Sequence, residues 1–237
     1  MFDLRLFLMA ALAASFCPTA LALESAEQQF ARLAPRLAAG DRTVVDEPLL
    51  LEVDLGASPG FSVDRQGEMV ELRYRMAFNQ IAEGWSWQPQ ANPAVDDYYR
   101  FKYMPLQSVV VDRGQYVHED KIGSPQQMQV SWRYDYFLAF ENLYDFYPRS
   151  VDDDAGFVAR LPYALAKDVH LQVRAHLAEP VLSESTTFWK AIHARPTDFT
   201  LKKRYLVGVL DEVDFVDGQS GRILCRIRPG HDECGGQ

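Results

Sequence analysis

Residues 169–177 have the sequence VHLQVRAHL, and this stretch shows which secondary structure dominates the chain. Apolar residues alternate here with His, Gln and Arg, so an extended strand carries all its apolar side chains on one side. Alternation with a period of two is typical of a half-buried β-strand. We therefore predict a strand with one side against a core and the other side in water.

The same alternation recurs along most of the chain. It predicts further strands at residues 49–55, 70–78, 99–103, 109–111, 128–134, 157–163 and 199–215. The last of these is longer than a usual strand, so we expect a bulge or break near Gly208. Pro162 predicts that the strand over 157–163 lies at a sheet edge, because proline has no backbone N–H to donate. We predict turns at 112–114 and at 217–221, the second leading into a strand over 223–227.

Helical patterns are few. Ser25 and Gln28 have the spacing of a capping box in front of apolar residues at helical spacing, and Pro35 keeps that helix short or kinked. Short helices are also predicted over 140–147 and over 186–193. Many short strands separated by Gly, Pro and Asp turns predict a mainly β protein, an antiparallel β-sandwich of Ig-like or related type. One large sandwich and two small ones both fit this pattern.

The first 22 residues have the organisation of a Sec-type signal peptide. Arg5 precedes an apolar run over 6–16, Pro18 follows, and Ala20 and Ala22 have the small-x-small spacing of a cleavage site. The apolar run is too short to span a bilayer. We expect a soluble periplasmic or secreted protein without a membrane anchor after cleavage. The predicted organisation is a signal peptide at 1–22, a helix at 23–40, and β-rich halves at 41–150 and 151–237.

Two cysteines remain after the predicted cleavage, Cys225 and Cys234. An even pair in an oxidising compartment predicts a disulfide, here in a C-terminal hairpin. The spacing differs from the C-x-x-C of oxidoreductases, and two cysteines alone do not complete a tetrahedral zinc site. We therefore interpret the pair as a structural bond.

Composition limits the classes of partner. The chain has 33 acidic and 24 basic side chains, a formal charge of −9, and 48% hydrophobic residues. That apolar content is enough for a folded core. An acidic chain without a basic stripe repels phosphate backbones and anionic lipid, which argues against nucleic acid and polybasic membrane docking. The sequence contains no motif for a cofactor, so we predict none.

His118 and Asp120 form the best candidate for a metal site. Alternate residues of a strand point to the same side, so the two side chains can converge on one ion. A third ligand has no clear source. The same residues also fit a solvated charged turn before Gly123. If they bind a metal, the protein is an exported metal-dependent enzyme, which is the alternative functional hypothesis.

The candidate binding residues are aromatic and lie in one predicted loop: Trp85, Trp87, Tyr98 and Tyr99. Loops on a β scaffold often carry binding residues, and such rings suit stacking on sugars or anchoring a protein. The same aromatic rings would also suit packing against the open end of the sandwich core. The aromatic block over 132–147 is predicted to be core. The leading hypothesis is a non-enzymatic binding or accessory module for an envelope protein or glycan, and a purely structural accessory subunit is a third.

Overall fold

The computed structural model describes residues 23–53, 55, 61–75, 101–119, 123–146, 156–192 and 194–234. Strands dominate these residues and form two sheets, with few helices. In chain order the elements are α1 (Ala26–Ala38), β1 (Pro48–Val53), β2 (Phe61–Gln66), β3 (Met69–Arg75), β4 (Lys102–Glu119), β5 (Pro125–Phe140), α2 (Leu143–Phe146), β6 (Gly156–Pro162), β7 (Val169–Trp189), β8 (Thr197–Asp217), β9 (Ile223–Arg228) and β10 (His231–Cys234).

The larger sheet has seven strands and is organised around β8. Its main path has the order β1-β7-β8-β5-β4, and β9 also pairs with β8, with β10 outside β9. Residues 197–208 of β8 pair with β5 and residues 213–216 pair with β9, so these two strands share one edge of β8. All described pairings are antiparallel except that of β5 with β8. The end strands β1 and β4 approach within 8 Å between Cα atoms, so the sheet is strongly curved.

The smaller sheet has the order β2-β3-β6 and packs on one side of the larger sheet. Alternate residues of β3 and β6 are buried in a core that both sheets share, and they are Val70, Leu72, Tyr74, Phe157, Ala159 and Leu161. The hydroxyl of Tyr74 donates a hydrogen bond to the carbonyl of Pro105 in β4. The predicted β-sandwich is confirmed, and β6 lies at an edge as Pro162 predicted.

Helix α1 covers another part of the same side of the larger sheet, which we call the inner face. The predicted capping box is present, since Ser25 accepts from the backbone of Gln28 and Gln28 accepts from the backbone of Ser25. Phe30 and Leu33 are buried on the sheet, and Pro35 lies inside the helix. No helix in the described ranges, α1 included, is long and apolar enough to cross a membrane.

Strand β8 continues through the position where a bulge or break was expected. The bulge is at Asp211, three residues after Gly208, where the pairing with β7 shifts between Arg174 and Ala175. Opposite Gly208, residues 178–181 of β7 interrupt the ladder. A Cβ on Gly208 would lie 2.5 Å from the carbonyl oxygen of His176, so the glycine allows the two strands to approach closely.

Three sequence predictions were wrong in detail. Residues 186–189 are strand rather than helix, because they pair with residues 199–202 of β8. The predicted turn at 112–114 is a bulge inside β4, where Gly114 adopts a φ of +95° and the strand continues to Glu119. The helix predicted over 140–147 is shorter, because Phe140 still belongs to β5 and α2 begins at Leu143.

The predicted disulfide is present. Cys225 and Cys234 are bonded, and they occupy directly opposite positions of the β9–β10 hairpin with their Cα atoms 3.9 Å apart. Ile227 and Cys225 are buried in the shared core. The bond therefore closes the hairpin at the edge of the larger sheet.

Candidate functional site

The larger sheet extends past α1 into a four-stranded region that we call the distal platform. It consists of residues 107–119 of β4, 125–136 of β5, 197–206 of β8 and 182–189 of β7. Side chains alternate between the two sides of a strand, so Trp132 and Tyr134 belong to the inner face along with Tyr136, which packs edge-on against Phe30 of α1. The inner face of the platform is therefore a continuation of the surface on which α1 lies.

Two cations lie against the indole of Trp132. The guanidinium of Arg113 is 4.5 Å from the ring centroid, and the Lys202 ammonium is 5.4 Å from it. Arg113 also donates to the hydroxyl of Tyr134 at 3.3 Å. These distances lie within the range of cation–π attraction. The contacts hold three side chains from β4, β5 and β8 in one layer above the sheet.

Arg204 organises the next layer toward α1. Its guanidinium lies 4.5 Å from the ring centroid of Tyr134 and 4.8 Å from that of Phe30, and it donates to the hydroxyl of Tyr136 at 3.0 Å. It also donates to Glu184 at 2.6 Å, and Lys202 donates to the same carboxylate at 3.2 Å.

The charges around Glu184 affect its protonation. Burial by itself raises the pKa of Glu184, but hydrogen bonds from Arg204 and Lys202 outweigh this effect and hold the pKa below its usual range. Burial raises the pKa of Tyr136, against the opposing hydrogen bond from Arg204. At neutral pH this layer therefore contains a carboxylate, two cations and a neutral phenol.

A second polar cluster lies at the far end of the platform. The Lys190 ammonium donates to Asp198 and to the Tyr116 hydroxyl, both at 2.8 Å, and Tyr116 donates to Asp198 at 3.0 Å. Asp198 also accepts from the backbone of Ala191 at 2.6 Å. The Lys190 hydrogen bond is the main cause of the lowered pKa of Asp198. The cluster joins β4, β8 and the segment after β7.

The opposite side of the platform carries a buried carboxylate at Asp135. Its two oxygens accept from Arg133 of the same strand at 2.7 and 3.0 Å, and Ser108 of β4 donates to one of them at 2.8 Å. Burial raises the pKa of Asp135, against the opposing hydrogen bonds from Arg133. Both carboxylate oxygens are engaged, and the Ser108 hydrogen bond links β5 to β4, so this carboxylate has a structural role and is not placed as a general base.

Two cavities of about 520 Å³ each are lined mostly by residues outside the platform, and the first reaches its border at Gln107 and Ser108. In the first, next to the start of α1, the imidazole of His170 is 3.2 Å from Glu52, and its other nitrogen is 3.3 Å from Asp168. In the second, Glu212 lies between Arg174 at 3.3 Å and Arg228 at 2.5 Å. The remaining charged lining residues also have partners, since Glu24 pairs with Arg32 and Asp211 with His176.

The aromatic residues proposed from the sequence, Trp85, Trp87, Tyr98 and Tyr99, lie outside the described residues. Of the proposed metal pair, His118 is exposed near the end of β4, while Asp120 lies outside the described residues. Within the described ranges no group of three His, Cys, Asp or Glu side chains is arranged to hold a metal ion. Both site predictions stay predictions.

Sequence reasoning missed the platform as a surface. Tyr134 and Tyr136 are buried, as predicted for the block over 132–147, but Trp132 is only partly buried and lies among cations. Arg113 belongs to a predicted turn, and Lys202 and Arg204 belong to a predicted strand. The sequence does place Lys202 and Arg204 on one side of a strand, which indicates a cationic surface. Their aromatic neighbours come from β5, so the contact depends on the pairing of β5 with β8.

Comparison of the chain with protein-family models, with curated proteins and with solved structures finds no match.

Proposed function

We propose that the protein is an exported, non-enzymatic binding module that holds a partner protein at its distal platform. The observation that carries the proposal is the distribution of exposed apolar side chains. Among the described residues the five most exposed large hydrophobic side chains are Val110, Val117, Ile192, Phe188 and Val63. Val110, Val117 and Phe188 belong to the distal platform and Ile192 follows β7, whereas Val63 lies on the smaller sheet. The strand register places Phe188 on the inner face, and Val110 and Val117 on the opposite side of the platform.

Concentration of exposed apolar side chains at one end of a domain is typical of an interaction surface, whereas single ones scattered over a surface are ordinary. The inner face of the platform adds the residue types that dominate binding energy at protein interfaces, since Trp132 and Arg113 lie at its centre. Stacking and hydrogen bonds already hold these side chains in place. Less conformational entropy is then lost when a partner binds.

Export is supported by the signal-peptide pattern over 1–22 and by the Cys225–Cys234 bond, since disulfides persist in oxidising compartments. Mass spectrometry of the protein recovered from its compartment tests this part. We expect Leu23 to be the first residue. Protein that keeps Met1 and the apolar run, and stays with the membrane, would contradict it.

Binding of a partner at the platform is tested with two variants, at positions whose side chains are equally exposed. Phe188 is 56% exposed on the platform and Val63 is 55% exposed on the smaller sheet. The wild-type protein, Phe188→Ser and Val63→Ser are immobilised and incubated with envelope extract, and captured proteins are quantified. We expect the wild type and Val63→Ser to enrich the same proteins. Phe188→Ser should lower that enrichment about tenfold, because it removes an aromatic side chain from the interface.

Equal capture by all three proteins, or capture of nothing, would contradict the proposal. Metal analysis of the purified protein is the second check. Stoichiometric metal that is lost in His118→Ala would favour the metal-dependent enzyme over a binding module.

A further inference from the structure

We infer that the partner presents an acidic segment with apolar residues between its carboxylates, and that this segment binds across the inner face of the distal platform. The inference rests on the proposed function and specifies the chemistry that the platform recognises. It is carried by the charges of the platform, by the position of the cations over the rings, and by the apolar side chains beside them.

The charges of the inner face are unbalanced. Lys202 and Arg204 share one carboxylate, that of Glu184. Arg113 is exposed, and no carboxylate of the described residues forms an ion pair with it. Around Trp132 and Tyr134 three cations therefore face one anion, in a chain whose formal charge is −9, and the Lys190–Asp198 pair further along the same face is balanced. A cationic surface attracts acidic partners, and two copies of this surface repel each other.

The position of the cations favours carboxylates over sugar rings. A sugar stacks on an open aromatic face, but the guanidinium of Arg113 is 4.5 Å from the ring centroid of Trp132, and that of Arg204 is 4.5 Å from the centroid of Tyr134. Because Arg204 already donates to Glu184 and Tyr136, the exposed guanidinium N–H groups that the platform offers are those of Arg113. Such groups pair with carboxylates in strong, charge-assisted hydrogen bonds.

Apolar side chains border the cations. Phe188 is 56% exposed at the β7 edge of the inner face, and Val111 is partly buried on β4, directly opposite Trp132. A ligand that spans the inner face meets a cationic centre with apolar groups on either side. A peptide that carries both carboxylates and apolar side chains can contact both kinds of group.

Fluorescence anisotropy of labelled probes tests the inference on the mature protein. The probes are a short peptide of alternating Glu and Val, its counterpart of Lys and Val, and an oligogalacturonate with as many carboxylates as the first peptide. We expect the Glu–Val peptide to bind most tightly and the Lys–Val peptide not to bind. Added salt should weaken binding, because exposed charges are screened.

Two variants that each remove one exposed arginine locate the site. Arg113→Gln changes the platform, and Arg160→Gln changes the smaller sheet, where Arg160 is 77% exposed. We expect Arg113→Gln to lower the affinity for the Glu–Val peptide about tenfold, the loss of one charge-assisted contact, and Arg160→Gln to leave it unchanged. Circular dichroism and melting temperature verify that both variants fold. The salt titration of the wild type does not depend on either variant.

Each outcome bears on one of the two proposals. Tighter binding of oligogalacturonate, equal affinity of the two arginine variants, or no binding of the Glu–Val peptide would overturn the acidic-segment inference. If Phe188→Ser still abolishes partner capture in those cases, the proposed function stands. If the peptide binds at Arg113 but Phe188→Ser captures the wild-type set of proteins, the proposed function fails, and the inference fails with it.

Discussion

Strands β7 and β8 run through two regions of the molecule with different chemistry on the same face. In the proximal region, beneath α1 and the smaller sheet, their inner side chains are apolar and fully buried, as at Leu171, Val173 and Phe215. In the distal platform the inner side chains of the same two strands include Glu184, Lys202 and Arg204. One pair of strands thus forms both the core and the candidate binding surface.

The two regions are stabilised by different interactions. Burial of apolar area contributes about 25 cal/mol per Å², so a fully buried ring in the proximal region contributes several kcal/mol. An exposed or partly exposed cation–π pair contributes only about 0.5 to 1 kcal/mol. The shape of the platform therefore depends on the core strands that continue into it. Substitutions on its inner face should affect binding more than stability.

Truncation of one aromatic ring in each region should give the largest difference in the free energy of unfolding between the two regions. Phe215 is fully buried in the proximal region, and we expect Phe215→Ala to lower the free energy of unfolding by about 3 to 5 kcal/mol. Trp132→Ala should cost about 1 to 2 kcal/mol, because the ring is only partly buried and loses weak cation–π contacts. Urea denaturation measures both values. Equal losses would mean that the platform is part of the core.

Removal of the disulfide should affect the proximal region alone. Cys225 and Cys234 are separated by 9 positions, so the loop-closure model predicts that Cys225→Ser with Cys234→Ser lowers the free energy of unfolding by roughly 2 to 3 kcal/mol. Reduction of the wild type serves as the matched control. The affinity of the Glu–Val peptide for the platform should stay at its wild-type value. A loss of peptide binding would show that the two regions are coupled.

A methyl group added at two glycines should give unequal effects. A Cβ on Gly208 would lie 2.5 Å from the backbone oxygen of His176, so Gly208→Ala should cost about 1 to 3 kcal/mol through steric conflict in the proximal region. Gly114→Ala in the platform meets no atom within 4 Å, and its cost comes from a φ of +95° alone. We expect the smaller loss there. Thermal denaturation compares the two, and a larger loss for Gly114→Ala would contradict this account.

The smallest expected effect is a pH dependence at Glu184. Its pKa is lowered in the folded protein, so its charge stabilises the fold above the unfolded value of about 4.3, and this stabilisation is lost as the pH falls through the folded pKa. The wild type should therefore be more stable than Glu184→Gln at neutral pH, and the two should converge in acid. The neighbouring variant Thr186→Val should differ from the wild type by an amount that does not change with pH.

Denaturation curves at several pH values check this prediction. A constant difference between the wild type and Glu184→Gln across the acid range would show that Glu184 contributes by packing alone.

Patterns within a single element were predicted well from the sequence. The alternation over 169–177 gave the start of β7, and the capping residues Ser25 and Gln28 gave the start of α1. Both signals depend on residues a few positions apart. The disulfide was predicted from cysteine number and compartment, and the structure adds that the two residues face each other in a hairpin.

Predictions failed where a neighbouring strand decides the local structure. Residues 186–189 were predicted to begin a helix capped by Ser185, but pairing with β8 supplies backbone hydrogen bonds that keep them extended. Asp112 and Gly114 are typical turn residues, yet β5 lies alongside and the chain forms a bulge instead of a turn.

The fold class follows from local sequence patterns, because side-chain alternation and helix capping act over a few residues and do not depend on distant partners. These patterns do not determine which side chains meet. Arg113, Trp132 and Lys202 come from three strands far apart in the chain, and they meet only because β5 pairs antiparallel with β4 and parallel with β8. A shift of one residue in either register would turn every side chain to the opposite face. The platform is therefore a product of strand register, which the tertiary structure decides.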